Sequence, residues 1–206
     1  IAAERNNEGA IGVAYDAHIS QNSWNLGNTG LNNIMNYDVA NNSWVFSEPF
    51  SDNFSSSNSE RIVGTQIALD NAVNYGRDGL GTVIVQAGGN DRKEGDNVNY
   101  HNLINSRFNI TTGSINQEGD LSKLIQASEP FSNPGAAILV YAPGSNIKST
   151  GNLLQNDNGS TFGSDFELTQ GTSFSTPIIS GVVALMLEAN PNLGYRDIKK
   201  IMAYSA

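Results

Sequence analysis

Apolar and polar positions change rhythm several times along the chain. The first clear rhythm spans residues 60 to 75. There Ile62, Gln66, Leu69 and Val73 fall near one helical face, with Ile67 and Ala72 beside them, and Gly76 and Gly79 stop the helix. Thr82-Val83-Ile84-Val85 follows as an unbroken β-branched run, the pattern of a strand covered on both faces of a parallel sheet. Further strands are expected at 12–19, 39–45, 107–114, 123–128 and 137–142, with a short helix around 31–35 and polar loops at 20–38 and 47–59. Thr172 to Ala189 is apolar and rich in small residues, which predicts a buried helix closed by Asn190-Pro191, and a last helix is expected from Tyr195 to Tyr204. The chain opens on Ile1-Ala2-Ala3-Glu4-Arg5, which reads as helix interior with no cap before it. Strand, helix, strand and two closing helices predict one α/β domain over residues 1–206, with a mostly parallel central sheet and helices on both faces.

Composition narrows what such a domain does. Of 206 residues, 38% are apolar and 15% charged, enough apolar material for a core and too little charge for a disordered chain. The formal net charge of −9 disfavours nucleic acid and anionic membranes as partners, because both call for a basic surface. No cysteine is present, so disulfides, thiolate metal sites and a cysteine nucleophile are excluded.

The strongest chemical signal is Gly171-Thr172-Ser173-Phe174-Ser175-Thr176-Pro177, which leaves a loop and opens the buried helix. A serine there lies at the positive end of the helix dipole, among backbone N–H groups with no intrahelical acceptor, and those donors suit a developing oxyanion. Gly-Thr-Ser alone would read as an ordinary helix cap, since Ser and Thr favour that position. The longer string, running on into Gly181-Val182-Val183-Ala184-Leu185, argues for more than a cap.

That string resembles the nucleophile motif of the subtilisin-like serine proteases, G-T-S-x-[AS]-x-P. Three other segments resemble the family in the same order: Gly12-Val13-Ala14-Tyr15-Asp16-Ala17, Ala87-Gly88-Gly89-Asn90, and Ser132-Asn133-Pro134-Gly135 with Ala142-Pro143-Gly144. Leu187-Glu188-Ala189-Asn190-Pro191 and Arg196-Asp197-Ile198 look like the kexin and furin branch. The resemblance implies a subtilisin-like fold and a serine endopeptidase acting on polypeptides, secreted or extracellular. It implies that Ser173 is the nucleophile and that the Asn90 amide completes the oxyanion hole. It further implies that Ser43, Trp44 and Val45 bind substrate backbone, and that Ala87, Gly88 and Gly89 wall the pocket before the scissile bond. Asp96 falls near a position that ligates a structural calcium ion in the kexin branch, with Asn133 where a glutamate would assist. No cofactor is implied for the chemistry itself. For Asp91, Glu94 and Asp96 the plain alternative is a solvated acidic loop.

A serine hydroxyl needs a base, and the base an orienting carboxylate. The family takes its base from a His-Gly-Thr motif. The two histidines here, His18 and His101, are not followed by glycine, and both read as solvent-exposed or structural. Ile1-Ala2-Ala3-Glu4-Arg5-Asn6-Asn7 resembles the tail of the family's histidine helix. The expectation is therefore a domain whose N-terminal part is missing, with the triad aspartate and histidine in an upstream segment and the chain alone inert. The alternative is a non-catalytic binding protein on the same fold. Glu48 lies near a position where kexin-like enzymes carry a specificity carboxylate, and His101 stands where they carry another, a departure that speaks against strict basic specificity.

Overall fold

The structure, a computed structural model, describes all residues except 22–30, 32, 47, 56–58, 125–126, 152, 156–160 and 164. Four parallel strands form the central sheet: β1 (Val39–Asn42), β2 (Val83–Ala87), β3 (Asn109–Ile115) and β4 (Ile138–Pro143), in the order β1-β2-β3-β4. Every residue of β2 is buried, as its apolar run demands. Val83 and Val85 point to one face and Ile84 to the other.

Helices cover both faces. On one side α2 (Thr172–Ala189) and α3 (Tyr195–Ser205) close a core of Val83, Val85, Ile110, Val140, Ile179, Val183, Ile198 and Met202. On the other, α1 (Glu60–Tyr75) closes a core with Ile34, Ala40, Phe46, Ile84 and Leu103. The apolar character of α2 follows from its position, since it packs on all four strands. Two antiparallel pairs stand apart from the sheet. They are β5 (Ile147–Thr150) with β8 (Phe166–Thr169), and β6 (Leu153–Gln155) with β7 (Thr161–Gly163). The sequence pattern did not announce either.

Both closing helices, α1 and β2 to β4 lie where the pattern placed them, while several expectations need correction. Residues 12–19 form a turn and coil with no ladder to the sheet. Gly12 and Ala14 donate to the carbonyls of Ala3 and Ile1 at 2.9 and 3.1 Å, and Val13 packs over Gly181 of α2. A strand needs a neighbour to pair with, and no strand lies on the outer edge of β1 among the described residues. Ile1–Arg5 is not helical: the carbonyls of Ile1 and Ala3 accept from Ala14 and Gly12 and not from a following helical turn. β1 ends at Asn42 instead of Val45. The helix expected around 31–35 is a single 3₁₀ turn, Ile34–Asn36. The strand expected at 123–128, two of whose residues lie outside the described ones, contributes only an isolated Lys123–Pro130 bridge. On α1 the buried face is built from Gly64, Thr65, Ala68, Leu69, Ala72 and Val73, and Ile67 is half exposed. Small residues let the helix approach the sheet closely; Leu69, Ala72 and Val73 lie on its inner face as expected, and Ile67 does not.

Candidate active site

β1 and β2 run side by side as far as the Asn42–Gln86 pair. Beyond it Ser43-Trp44-Val45 and Ala87-Gly88-Gly89 leave the carboxyl edge of the sheet, where open α/β folds place their sites. The two segments separate because Gly88 keeps pairing with β3, donating to the Thr112 carbonyl at 3.0 Å. The Gln86 side-chain amide bridges the gap, donating to the carbonyls of Trp44 and Ala87. Ala87, Gly88 and Gly89 are buried, and Ser43, Trp44 and Val45 are half-buried.

Ser173 lies in the first turn of α2, over this crevice. Pro177 stands four residues later and has no N–H to give the Ser173 carbonyl. That carbonyl accepts from Ser43 Oγ instead, at 2.9 Å, and Ser173 Oγ donates back to the Ser43 carbonyl at 3.1 Å. Helix proline and strand-end serine thus tie α2 to β1 at the proposed nucleophile. Ser43 is itself held, because Asn41 Nδ2 donates to its hydroxyl at 3.0 Å and Asn41 Oδ1 accepts from Ser180 of α2 at 2.9 Å.

Asn90 is fixed from the helix side. Its Oδ1 accepts from both the backbone N–H and the hydroxyl of Thr172, at 2.9 and 3.0 Å, so the two donors of its Nδ2 are left for another partner. Thr172 Oγ1 also accepts from the Gly89 N–H at 3.2 Å. A Cβ on Gly171 would lie 3.5 Å from Asn90 Nδ2 and 3.8 Å from the Ser173 nitrogen, so both donors border the space that glycine leaves free. Gly171 has φ +131°, which L side chains rarely adopt, and its N–H is anchored on the Gly144 carbonyl at 2.8 Å. Gly144 is as tightly placed: a Cβ there would meet Ser114 Oγ at 2.2 Å and Ser175 Oγ at 2.3 Å. This accounts for the Ala142-Pro143-Gly144 turn ahead of the nucleophile.

Behind Asn90 the acidic loop is not solvated throughout. Asp96 is 4% exposed and His101 fully buried. The Asp96 carboxylate accepts from His101 Nε2 at 2.9 Å, from Asn133 Nδ2 at 2.7 Å and from the Asn97 N–H at 2.8 Å. Three protein donors therefore fill the acceptor that a calcium ion would need, and two nitrogen-bearing side chains face it. This donor set does not suit a hard cation, which calls for several oxygens. Among the described residues no group of three His, Cys, Asp or Glu side chains is placed to hold a metal. Burial, reinforced by the Glu94 and Asp96 carboxylates, pushes the Asp91 carboxyl up from its ordinary value, and His101 acts in the opposite sense. His18 is exposed, and Ser173 Oγ bonds Ser43 and no histidine.

The family model for the subtilase family matches residues 1–206. The chain belongs to this family. Over 141 residues it is 35% identical to kexin of Saccharomyces cerevisiae, covering 68% of this chain and 16% of that protein. Over 145 residues it is 38% identical to a dibasic-processing endoprotease of Schizosaccharomyces pombe, covering 69% and 18%. Among solved structures, proteases from Pseudoalteromonas arctica PAMC 21717 superpose with a TM-score of 0.69 at 25% identity, over 98% of this chain and 59% of that one. A cold-adapted subtilisin-like serine proteinase has the same fold, with a TM-score of 0.53 at 21% identity over 87% and 53%. The chain thus spans less than a fifth of the length of these curated relatives, and the subtilisin-like fold accounts for the parallel sheet and its helices.

The structure brings Ser173, Asn90 and the two crevice segments expected from the sequence to one place. Sequence reasoning missed Thr172 as the residue orienting Asn90, Gly144 as the support of Gly171, and the burial of Asp96 and His101. Polar loop composition concealed the last pair.

Proposed function

We propose that the full-length protein is a serine endopeptidase in which Ser173 attacks the peptide carbonyl. The observation that carries this reading is the space at Gly171, bordered by the Asn90 amide and the Ser173 N–H, with Ser173 itself at its side. In the step proposed, a bond forms from Ser173 Oγ to the carbonyl carbon and the hydroxyl proton passes to a histidine base. The oxyanion is held by Asn90 Nδ2 and the Ser173 N–H. The histidine then protonates the leaving amine as the C–N bond breaks, and water hydrolyses the acyl-enzyme. Polypeptide substrate would lie along Ser43-Trp44-Val45 and Ala87-Gly88-Gly89 as an added strand. The family setting favours a secreted or extracellular location.

The base and its aspartate are assigned to a segment upstream of Ile1, and without it Ser173 is inert. Support comes from the far side of β1. Its outer edge carries no strand among the described residues, and a cavity of about 1410 Å³ lies beside it. Val39, Asn41, Leu31, Ala184 and Leu187 line that cavity on the sheet and helix side, and Ala17 and His18 line it opposite. Sites for small ligands typically measure about 300–1,000 Å³, so this slot suits an extended polypeptide better. A strand added there would run between β1 and the 12–19 segment and give the latter the neighbour it lacks.

The test is fluorophosphonate labelling of the full-length protein beside Ser173→Ala. Labelling of the wild type, abolished by the substitution, is expected. A folded full-length protein that stays unlabelled would sink the protease reading in favour of a binding protein on the same fold.

A further inference from the structure

We infer that His101, Asp96 and Asn133 form a buried clamp that positions Asn90, with His101 and Asp96 acting as positioning residues through Asn133. The inference rests on the protease reading for its kinetic consequence and on hydrogen-bond geometry for its substance. Asn133, 1% exposed, grips the chain on both sides of Asn90. Its backbone N–H donates to the Gly89 carbonyl at 3.1 Å, and its Oδ1 accepts the Asp91 N–H at 2.8 Å. That second bond requires the amide to face one way, oxygen towards Asp91 and nitrogen inward. An ionised carboxylate has only acceptors, so Asp96 at 2.7 Å from Nδ2 enforces that orientation. Asp96 is enforced in turn. The His101 imidazole presents Nε2 to both its oxygens, at 2.9 and 3.1 Å, and the Asn97 N–H holds the first of them.

The other side of the ring faces a second buried carboxylate. His101 Nδ1 lies 3.8 Å from Asp52 Oδ1, and both atoms are buried without a hydrogen bond among the described residues. The other Asp52 oxygen accepts the Leu103 N–H at 2.7 Å, which roots the cluster in the loop ahead of β3. Gly89 completes the fit: at φ +96° it brings the wall so close that a Cβ would meet Asn133 Nδ2 at 2.4 Å. Asn90 is thus held by Thr172 from the helix and by Asn133 through its two neighbours. A buried side chain matched on every polar atom specifies one geometry, and an oxyanion donor depends on such preorganisation.

The experiment measures kcat and KM on a peptide substrate in the full-length protein for D96N, H101A, H101Q, N90A and the N90A/D96N pair. In D96N, an isosteric change, one oxygen becomes a donor and Asn133 loses its enforced orientation. We expect kcat to fall about tenfold with KM near wild type, a part of the roughly 10²–10³ that one oxyanion donor is worth. H101A should behave alike, and H101Q, which keeps a donor, should recover most of the loss. D96N should add nothing to N90A, since it acts through Asn90. Additive losses, or a rise in KM alone, would overturn the inference. Amide hydrogen exchange of Asp91 tests the clamp without turnover. Protection in the wild type that is lost in D96N upholds it even if the protein proves inert and the protease reading fails. Equal exchange in both overturns it even if the enzyme is active.

Discussion

The two sides of Ser173 differ in how much of their structure the chain supplies. On the Asn90 side backbone and side-chain contacts fix the direction of the chain: Thr172 holds the Asn90 oxygen, Asn133 holds Gly89 and Asp91, and Gly144 holds Gly171. On the β1 side the Ser173 hydroxyl rests on a backbone carbonyl, and beyond it lie a sheet edge with no paired strand among the described residues and a large cavity. In the proposed chemistry the oxyanion donors sit within residues 87–173, and the base is assigned to an upstream segment. An enzyme divided in this way would stabilise the charge that develops on the substrate before it can generate it. Binding and orientation would reside here, and turnover would require the added segment.

Five substitutions in the full-length protein probe that contrast. The largest effect is expected from Gly171→Ala. Its Cβ would intrude between Asn90 Nδ2 and the Ser173 N–H, and its φ of +131° would be strained. A fall in kcat/KM of about 10² or more is expected, on the scale of a lost oxyanion donor. A near-neutral result, read by kcat/KM with a melting curve as control, would show that the space at Gly171 is not where the oxyanion forms. Next, Ala184→Trp puts bulk into the slot. If a strand occupies the slot in the full-length protein, overpacking should cost about 1–3 kcal/mol and reduce fluorophosphonate labelling. An unchanged denaturation midpoint would mean that the slot stays open to solvent.

Ser43→Ala removes the donor to the carbonyl that Pro177 leaves free, at a cost of about 1 kcal/mol in denaturant unfolding. Adding Pro177→Ala should recover part of it by restoring the helical N–H to the same acceptor. Failure to recover would show that the Ser43 contact serves the crevice and not the helix. The smallest effect is expected from Asp91→Asn. Burial and the neighbouring carboxylates raise the native pKa of Asp91, so the native state holds its proton more tightly than the unfolded one. Stability therefore falls as pH climbs from the ordinary carboxylate value through the raised one, and the penalty persists above it. Asp91→Asn should raise the melting temperature slightly near neutral pH and leave it unchanged below about pH 3.

Much of this was legible in the residues. The limits of α1 and α2, the buried strand β2 and the ordered motifs around Asn90 and Ser173 could be read because each rests on local pattern. Residues 12–19 were misread because the Gly-Val-Ala string carries strand propensity, and propensity does not form a ladder without a neighbour. Ile67 was misplaced for a related reason: which face of α1 is buried is set by how closely the sheet approaches. The Asp96–His101 pair was illegible, since nothing in an Asn-rich loop reveals that its ends fold under the wall of a crevice.

The all-parallel order of the sheet bears on how the chain reaches this state. No two adjacent strands can be joined by a hairpin, so each pairing must close a long loop before any contact rewards it, which makes such topologies slow to fold. The two cores also mature at different moments of synthesis. The buried residues of the face under α1 are all present once β2 and the loop containing Leu103 exist. The face carrying Val83, Val85, Ile110 and Val140 stays uncovered until α2 and α3 emerge. Through that interval the growing chain carries an exposed apolar sheet face, and protection by a chaperone would matter most there.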